Sequence, residues 1–319
     1  MMRRTFFLFA VLVVQDASPL AAQSSMAVLS MPASARAAGA GDVAPVAVDA
    51  SALFYGAQRL PTVRTVTASA GTWIGDAQFA TVALAIPVGW QRRAGSVLAL
   101  GVQSLDYGSA DEYVPDPATD GTRGTATGGR VSGNELAVTL GLRQGTTRRR
   151  TGAALSFLRQ QVADLSASAL TMSVATGVTL GRWDADLSLE HVSSSARNPA
   201  RQTLTIPSQT RLSVASPNWT VADATLRGVA EIRRANRLGT TSVLGAECTV
   251  ASAAGWQLEG RGAYLVYSDE TARAPWTVGG SAGRGAWSLD YAYQGFGGLG
   301  AVHRMGITWH SRDPRSPSR

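Results

Sequence analysis

Apolar and polar side chains alternate along most of the chain. In Trp183-Asp184-Ala185-Asp186-Leu187-Ser188-Leu189-Glu190, one face carries Trp, Ala, Leu and Leu, and the other carries Asp, Asp, Ser and Glu. A period of two marks an extended strand with one apolar and one polar face. The same alternation recurs over 221–233, 256–266 and 286–294. Strands are therefore predicted near 62–74, 77–86, 96–104, 133–143, 150–160, 169–181, 183–192, 209–216, 219–232, 239–250, 255–266, 275–283, 285–293 and 301–310. That makes about 14, an even number, as bacterial outer-membrane barrels require.

The connections follow a long–short rhythm. The third, 105–132, and the seventh, 193–208, are long. Gly181-Arg182, Ser216-Pro217-Asn218, 251–254 and Arg284-Gly285 are short, and 87–95 is the exception. Short turns at one end and longer loops at the other are the habit of outer-membrane barrels. A secreted sandwich would give the same alternation with its apolar face turned inward. Three features favour the barrel. Charged residues are only 16% of the chain, against a usual ~25%. Many outward positions are Ala, Gly, Leu or Val. Trp73, Trp90, Trp183, Trp219, Trp256, Trp276, Trp287 and Trp309 sit near strand ends, where interface girdles lie. The expected fold is an all-β transmembrane antiparallel barrel over 61–311, with a polar tail at 312–319.

The N-terminus reads differently. Met1-Met2-Arg3-Arg4 precedes an apolar stretch from Thr5 to Val14, and Leu20-Ala21-Ala22-Gln23 supplies small residues for cleavage. Residues 1–22 read as a secretory signal peptide; export together with the barrel pattern implies the bacterial outer membrane as the destination. Residues 23–60 are rich in Ala, Gly, Ser and Pro and read as a plug or a periplasmic segment. All 29 basic residues are Arg and the formal charge is +7. The arginines are scattered, so nucleic acid is not an expected partner. The tight run Arg148-Arg149-Arg150 fits a strand connection able to meet anionic phosphate groups. With Cys248 the only cysteine, neither an internal disulfide nor a Cys-rich zinc site is available.

No catalytic constellation stands out. His191, His303 and His310 fall near predicted strand ends without a nucleophile motif, metal-ligand spacing is absent, and no enzyme activity or cofactor is expected. By strand parity, Asp184, Asp186, Glu190, Asp223, Arg227, Glu231, Glu259, Arg261, Asp290 and Arg304 point into the predicted lumen. The first two could do acid–base work, but a hydrated, charge-balanced wall suits them better. In the long third connection, Asp111, Glu112, Tyr113 and Asp116 are candidates for contact with a partner. Outer-membrane lipid, exported cargo or secretion components, and apolar small molecules are the partners considered.

Two stretches carry a family resemblance. Leu29 to Asp42 (LSMPASARAAGAGD) has an apolar lead, Arg36, and then Gly39-Ala40-Gly41; it is followed by Ala50-Ser51-Ala52-Leu53-Phe54-Tyr55. Near the C-terminus, Leu289-Asp290-Tyr291-Ala292-Tyr293 precedes Leu299-Gly300 and His303-Arg304. Together these resemble the PorV/PorQ family, whose barrels are similar in fold to the FadL transporters of hydrophobic compounds. The resemblance implies a FadL-type barrel that binds and shuttles cargo in type IX-like protein secretion or surface attachment. The alternative is a FadL-like passive channel for hydrophobic small molecules. The chain departs from the family at Gly56-Ala57-Gln58-Arg59-Leu60, where Asn-Pro-Ala-Gly-Leu is usual; only Leu60 matches.

Overall fold

The computed structural model describes residues 26–88, 95–115, 124–193, 196–197, 203–204, 206–236, 239–251, 255–268 and 273–311. The proposed signal peptide, Trp90, Asp116 and the polar tail lie outside them. The strands are β1 (Thr65–Thr72), β2 (Gln78–Pro87), β3 (Val97–Pro115), β4 (Gly124–Gly145), β5 (Arg149–Val162), β6 (Leu165–Leu180), β7 (Trp183–Ser193), β8 (Ala196–Arg197), β9 (Thr203–Leu204), β10 (Gln209–Ala215), β11 (Trp219–Val221), β12 (Ala224–Ala235), β13 (Gly239–Ala251), β14 (Trp256–Tyr267), β15 (Trp276–Arg284), β16 (Trp287–Gly295) and β17 (Ala301–His310).

Each strand pairs antiparallel with its neighbour, and β1 closes the cylinder against β17, with Val66 opposite Trp309. The small β8–β9 hairpin lies outside the main circuit, so β7 pairs directly with β10. The result is a closed antiparallel barrel of 14 crossing strands. Closure leaves no free edge in the spanning region, which is what a sheet immersed in hydrocarbon requires.

Two predicted connections are corrected. Ser216-Pro217-Asn218 does not turn the chain. β10 and β11 both pair with β12, with Ala215 opposite Val229 and Trp219 opposite Leu226, and together they make one crossing. Pro217 offers no N–H to the ladder, and the gap is bridged by Gly228 N–H donating to Ser216 Oγ (2.8 Å). The turn comes at Ala222-Asp223. The stretch 105–132 is not a loop throughout. β3 runs to Pro115 and β4 begins at Gly124, with register shifts at Asp106/Ser109 and Asp111/Tyr113. Beyond Asp106, β3 has lost β2, so this part of the hairpin is a two-stranded ribbon. A 19-residue strand extends about 60 Å at ~3.3 Å per residue, well beyond a ~30 Å hydrocarbon core.

The side chains settle which face meets lipid. Outward positions are large and apolar: Val82, Leu140, Leu244 and Met305 are 52, 56, 67 and 70% exposed. Inward positions on the same strands are buried and polar, such as Thr81, Thr139, Glu135 and Arg304. A soluble sandwich has the opposite arrangement. Exposed Trp183, Trp219, Trp256 and Trp287, with half-exposed Trp309, ring the end that carries the short turns. Tyr264 and Trp276 are exposed near the opposite end. Trp73 departs from the girdle expectation: it is partly buried on an internal cluster and meets Phe296 edge-on at 5.1 Å. Following the usual habit, the short-turn end faces the periplasm. Placing an arginine on the lipid face at Leu140 is expected to cost about 2–4 kcal/mol. Denaturant unfolding of the barrel in vesicles measures that loss.

Residues 26–64 fill the interior. They contain one short helix, α1 (Ala35–Gly39), capped by Ser34 Oγ accepting from Ala37 N–H (3.2 Å), and several 3-10 turns. Most of Met26–Leu60 is buried, and its alanines, Leu53, Phe54 and Tyr55 pack on Ala83, Ala85, Val97, Ala99 and Ala154 of the wall. The wall makes room with glycine where the two backbones meet. A β-carbon on Gly152 would lie 2.2 Å from Gly56 O, and one on Gly39 would lie 2.8 Å from Gly279 Cα.

Candidate functional site

The interior of the barrel is the only place where buried charge, apolar packing and a cavity meet among the described residues. Strand parity directs alternate side chains inward, and the plug supplies their partners. Three ion-pair groups and three apolar clusters result.

The first group is centred on Arg36 of α1. Its guanidinium donates to Glu259 Oε1 (2.5 Å) and Glu247 Oε1 (3.1 Å), which sit on β14 and β13. Arg261 lies 3.4 Å from Glu259 and donates to Asp290 Oδ1 (2.8 Å) on β16. Arg227 of β12 reaches Glu247 at 3.5 Å. Arg36, Glu259, Arg261 and Asp290 were separately singled out as family or lumen residues, and here they form one connected set.

The second group surrounds Arg211 of β10. Arg211 bonds Glu190 Oε2 (3.1 Å), Glu231 Oε1 (2.8 Å) and Asp42 Oδ2 (3.2 Å). Arg233 also reaches Asp42 (3.2 Å) and Glu231 (3.5 Å). Tyr55 caps the group. Its hydroxyl donates to Asp42 Oδ1 (2.5 Å), and its ring lies 5.1 Å from the Arg211 guanidinium carbon. Gly41 positions Asp42. Its φ of +77° suits glycine, and a β-carbon there would lie 2.7 Å from Val243 Cγ1.

The third group uses the segment that departs from the family pattern. Arg59 bonds Asp186 and approaches Asp184 at 4.0 Å, while Arg150 lies 3.3 Å from each carboxylate. The neighbouring Leu60 carbonyl accepts from Arg143 Nη1 (2.8 Å). The departure at 56–60 therefore brings its own anchor to the wall. Asp184 and Asp186 are engaged by cations, which suits a static wall better than proton transfer.

Arg304 stands apart. It is 1% exposed, donates to the Pro32 carbonyl, and lies 4.3 Å above the Phe79 ring and 5.6 Å from the Trp73 ring. Among the described residues it has no carboxylate within ion-pair distance. Beside it, Met26, Val28, Met31, Phe79, Leu105 and Leu158 form a buried apolar cluster in the outer half of the lumen. Glu135 borders this cluster and accepts from Val28 N–H (2.7 Å), Tyr107 Oη (2.8 Å) and Gln160 Nε2 (2.8 Å). A separate 310 Å³ cavity lies at the short-turn mouth, lined by Arg36, Asp49, Glu259, Asp290, Trp287 and His310 among others.

Of the sequence candidates, Asp223 is corrected. It is exposed at the β11–β12 turn, because the true turn lies there and not at 216–218. Asp111, Glu112 and Tyr113 are exposed on the protruding ribbon and take no part in the interior; Asp116 lies outside the described residues. His303, Tyr291 and Tyr293 belong to the outer surface, where Tyr291 Oη and His303 Nδ1 are 2.8 Å apart. Leu299 is exposed, and Gly300 takes a φ of +92° at the β16–β17 turn. Sequence reasoning did not single out Arg150, Arg211, Glu135 or Glu247 as lumen residues, although parity on the predicted strands would have reached each of them. Asp42 and Arg59 carried no such signal, since the plug has no periodicity. No group of His, Cys, Asp and Glu capable of holding a metal occurs among the described residues.

No family model matches the chain, and no curated protein matches it. Among solved structures, the chain is similar to the P. putida toluene transporter TodX: TM-score 0.56, 8% identity, covering 89% of this chain and 99% of that one. It is similar to a Pseudomonas aeruginosa FadL homologue with a TM-score of 0.53 and 11% identity over 86% and 98% of the two chains. The Ralstonia pickettii toluene transporter TbuX gives 0.52 and 9% over 88% and 98%. At these identities the likeness is one of fold: an outer-membrane barrel of FadL type. None of the comparisons singles out PorV or PorQ proteins.

Proposed function

We propose that this protein is a plugged outer-membrane channel for apolar small molecules. The observation that carries the reading is the apolar cluster of Met26, Val28, Met31, Phe79, Leu105 and Leu158, which occupies the outer half of the lumen apart from the three ion-pair groups. Met26, Val28 and Met31 of the plug cover this apolar wall, so an apolar solute that displaces them gains by leaving water, at roughly 25 cal/mol per Å² buried, whereas an ion gains nothing there. Two of the plug's own methionines line the cluster, and flexible, polarisable Met side chains re-pack around varied shapes. Two fold neighbours, the toluene transporters TodX and TbuX, carry the same class of solute. Uptake of labelled toluene by cells with and without the gene tests the reading. Uptake is expected to drop on deletion and to return with the wild-type gene; equal uptake in both strains would sink the proposal.

A second reading, a shuttle for exported cargo in type IX-like secretion or attachment, draws on the family-like motifs and on the ribbon of β3 and β4. That ribbon presents Asp111, Glu112 and Tyr113, with Tyr113 60% exposed. Deleting 107–130 distinguishes the two: the shuttle loses cargo recovered from outer membranes, and the channel keeps its toluene uptake.

A further inference from the structure

The two rims of the barrel carry different charge. At the short-turn end the exposed charged residues are Arg64, Arg148, Arg149, Arg182 and Arg284, against a single exposed carboxylate, Asp223, among the described residues. At the opposite end, exposed Asp76, Asp106, Asp111, Glu112 and Asp164 outnumber exposed Arg130, Arg159 and Arg234. The cations of the short-turn end are spread around the wall. They lie before β1, in the β4–β5 connection and at the start of β5, in the β6–β7 connection, and at the end of β15. They share this end with the tryptophan ring that includes Trp183, Trp256, Trp287 and Trp309. Arg284 stacks over Trp256, its guanidinium carbon 5.6 Å from the ring centroid.

We propose that this rim is a collar that binds anionic phospholipid headgroups in the periplasmic leaflet. Tryptophan belts settle at the boundary between hydrocarbon and headgroups, which places these guanidiniums level with lipid phosphates. Guanidinium matches phosphate through paired N–H donors. A ring distributed around the circumference suits an annulus of lipid. An acidic protein would need a contiguous face, and turns as short as Gly181-Arg182 and Gly285-Ala286 project too little to make one. The collar is independent of what passes through the lumen, and none of Arg148, Arg149 and Arg182 takes part in the plug's ion pairs.

The test is tryptophan quenching in vesicles that pair brominated phosphatidylglycerol with ordinary phosphatidylcholine, or the reverse. The wild-type barrel is expected to prefer phosphatidylglycerol about fivefold at each annular lipid site, since one cation beside an anionic headgroup contributes a factor of about five. The preference should shrink in 1 M salt, where screening acts over ~3 Å. The triple variant Arg148→Gln, Arg149→Gln, Arg182→Gln should lose most of it, and the corresponding triple Lys variant should keep it, both retaining the heat-modifiable migration of a folded barrel. Equal affinity of the wild type for the two lipids, or a preference that survives the triple Gln variant, would overturn the proposal.

Discussion

Replacing Arg211 with alanine is expected to cost about 3 kcal/mol of barrel stability, the largest loss from any single interior side chain. Arg211 is 5% exposed and bonds Glu190, Glu231 and Asp42, acids drawn from β7, β12 and the plug. Removing one partner of a buried pair strands the others in a medium that solvates them poorly, typically at 3–5 kcal/mol. The lower end applies because Arg233 still reaches Asp42 and Glu231. Glu190 keeps only Ser188 Oγ (2.7 Å) and Gln209 Nε2 (3.2 Å), both neutral. Denaturant unfolding in vesicles provides the measurement. Arg234→Ala, on the exposed outer surface one residue away from Arg233, should change stability by no more than about 0.5 kcal/mol. A loss under 1 kcal/mol for Arg211→Ala would mean that water already reaches the group.

Substituting Gly152 by alanine is expected to dislodge the plug while leaving the barrel folded. The added carbon would lie 2.2 Å from Gly56 O and 2.3 Å from Gln58 N, both backbone atoms, so a side-chain rotation cannot relieve the clash. Overpacking of this kind usually costs about 1–3 kcal/mol, and here it falls on the segment anchored by Arg59 on Asp186 and by the Leu60 carbonyl on Arg143. Moving that segment exposes Asp184, Asp186 and Arg150 to the lumen. Single-channel recordings should show ion conductance above that of the wild type, and protease should reach residues 56–60. Gly260→Ala is the matched control. It lies on β14 with nothing within 4 Å of the added carbon and should be silent. Unchanged conductance in Gly152→Ala would show that the wall, not the plug, limits passage.

The alternation in segments such as 183–190 determined the strands, the even number of crossings and the inward parity of residues such as Asp186, Glu231 and Asp290. These follow from the two-residue period of an extended chain, which is local. Where local signals competed, the reading went astray. Pro217 looked like a turn, yet Trp219–Val221 gained more by pairing with β12, so the turn moved to Ala222-Asp223 and took Asp223 out of the lumen. The Gly-, Asp- and Thr-rich stretch 105–132 looked like a loop, yet much of it pairs as a ribbon. The face that meets lipid was also beyond the pattern itself, because alternation is the same in a barrel and a sandwich; exposed Leu140 and buried Glu135 on one strand decide it. Only the tertiary structure made the plug and its ion pairs. Arg36 meets Glu259, and Asp42 meets Arg211, across more than 160 residues of chain, and Arg59 finds Asp186 across 127. No periodicity encodes such partners. They come together because closing the sheet turns its polar faces toward a shared axis, and among the described residues it is mainly the aperiodic N-terminal segment that fills that space.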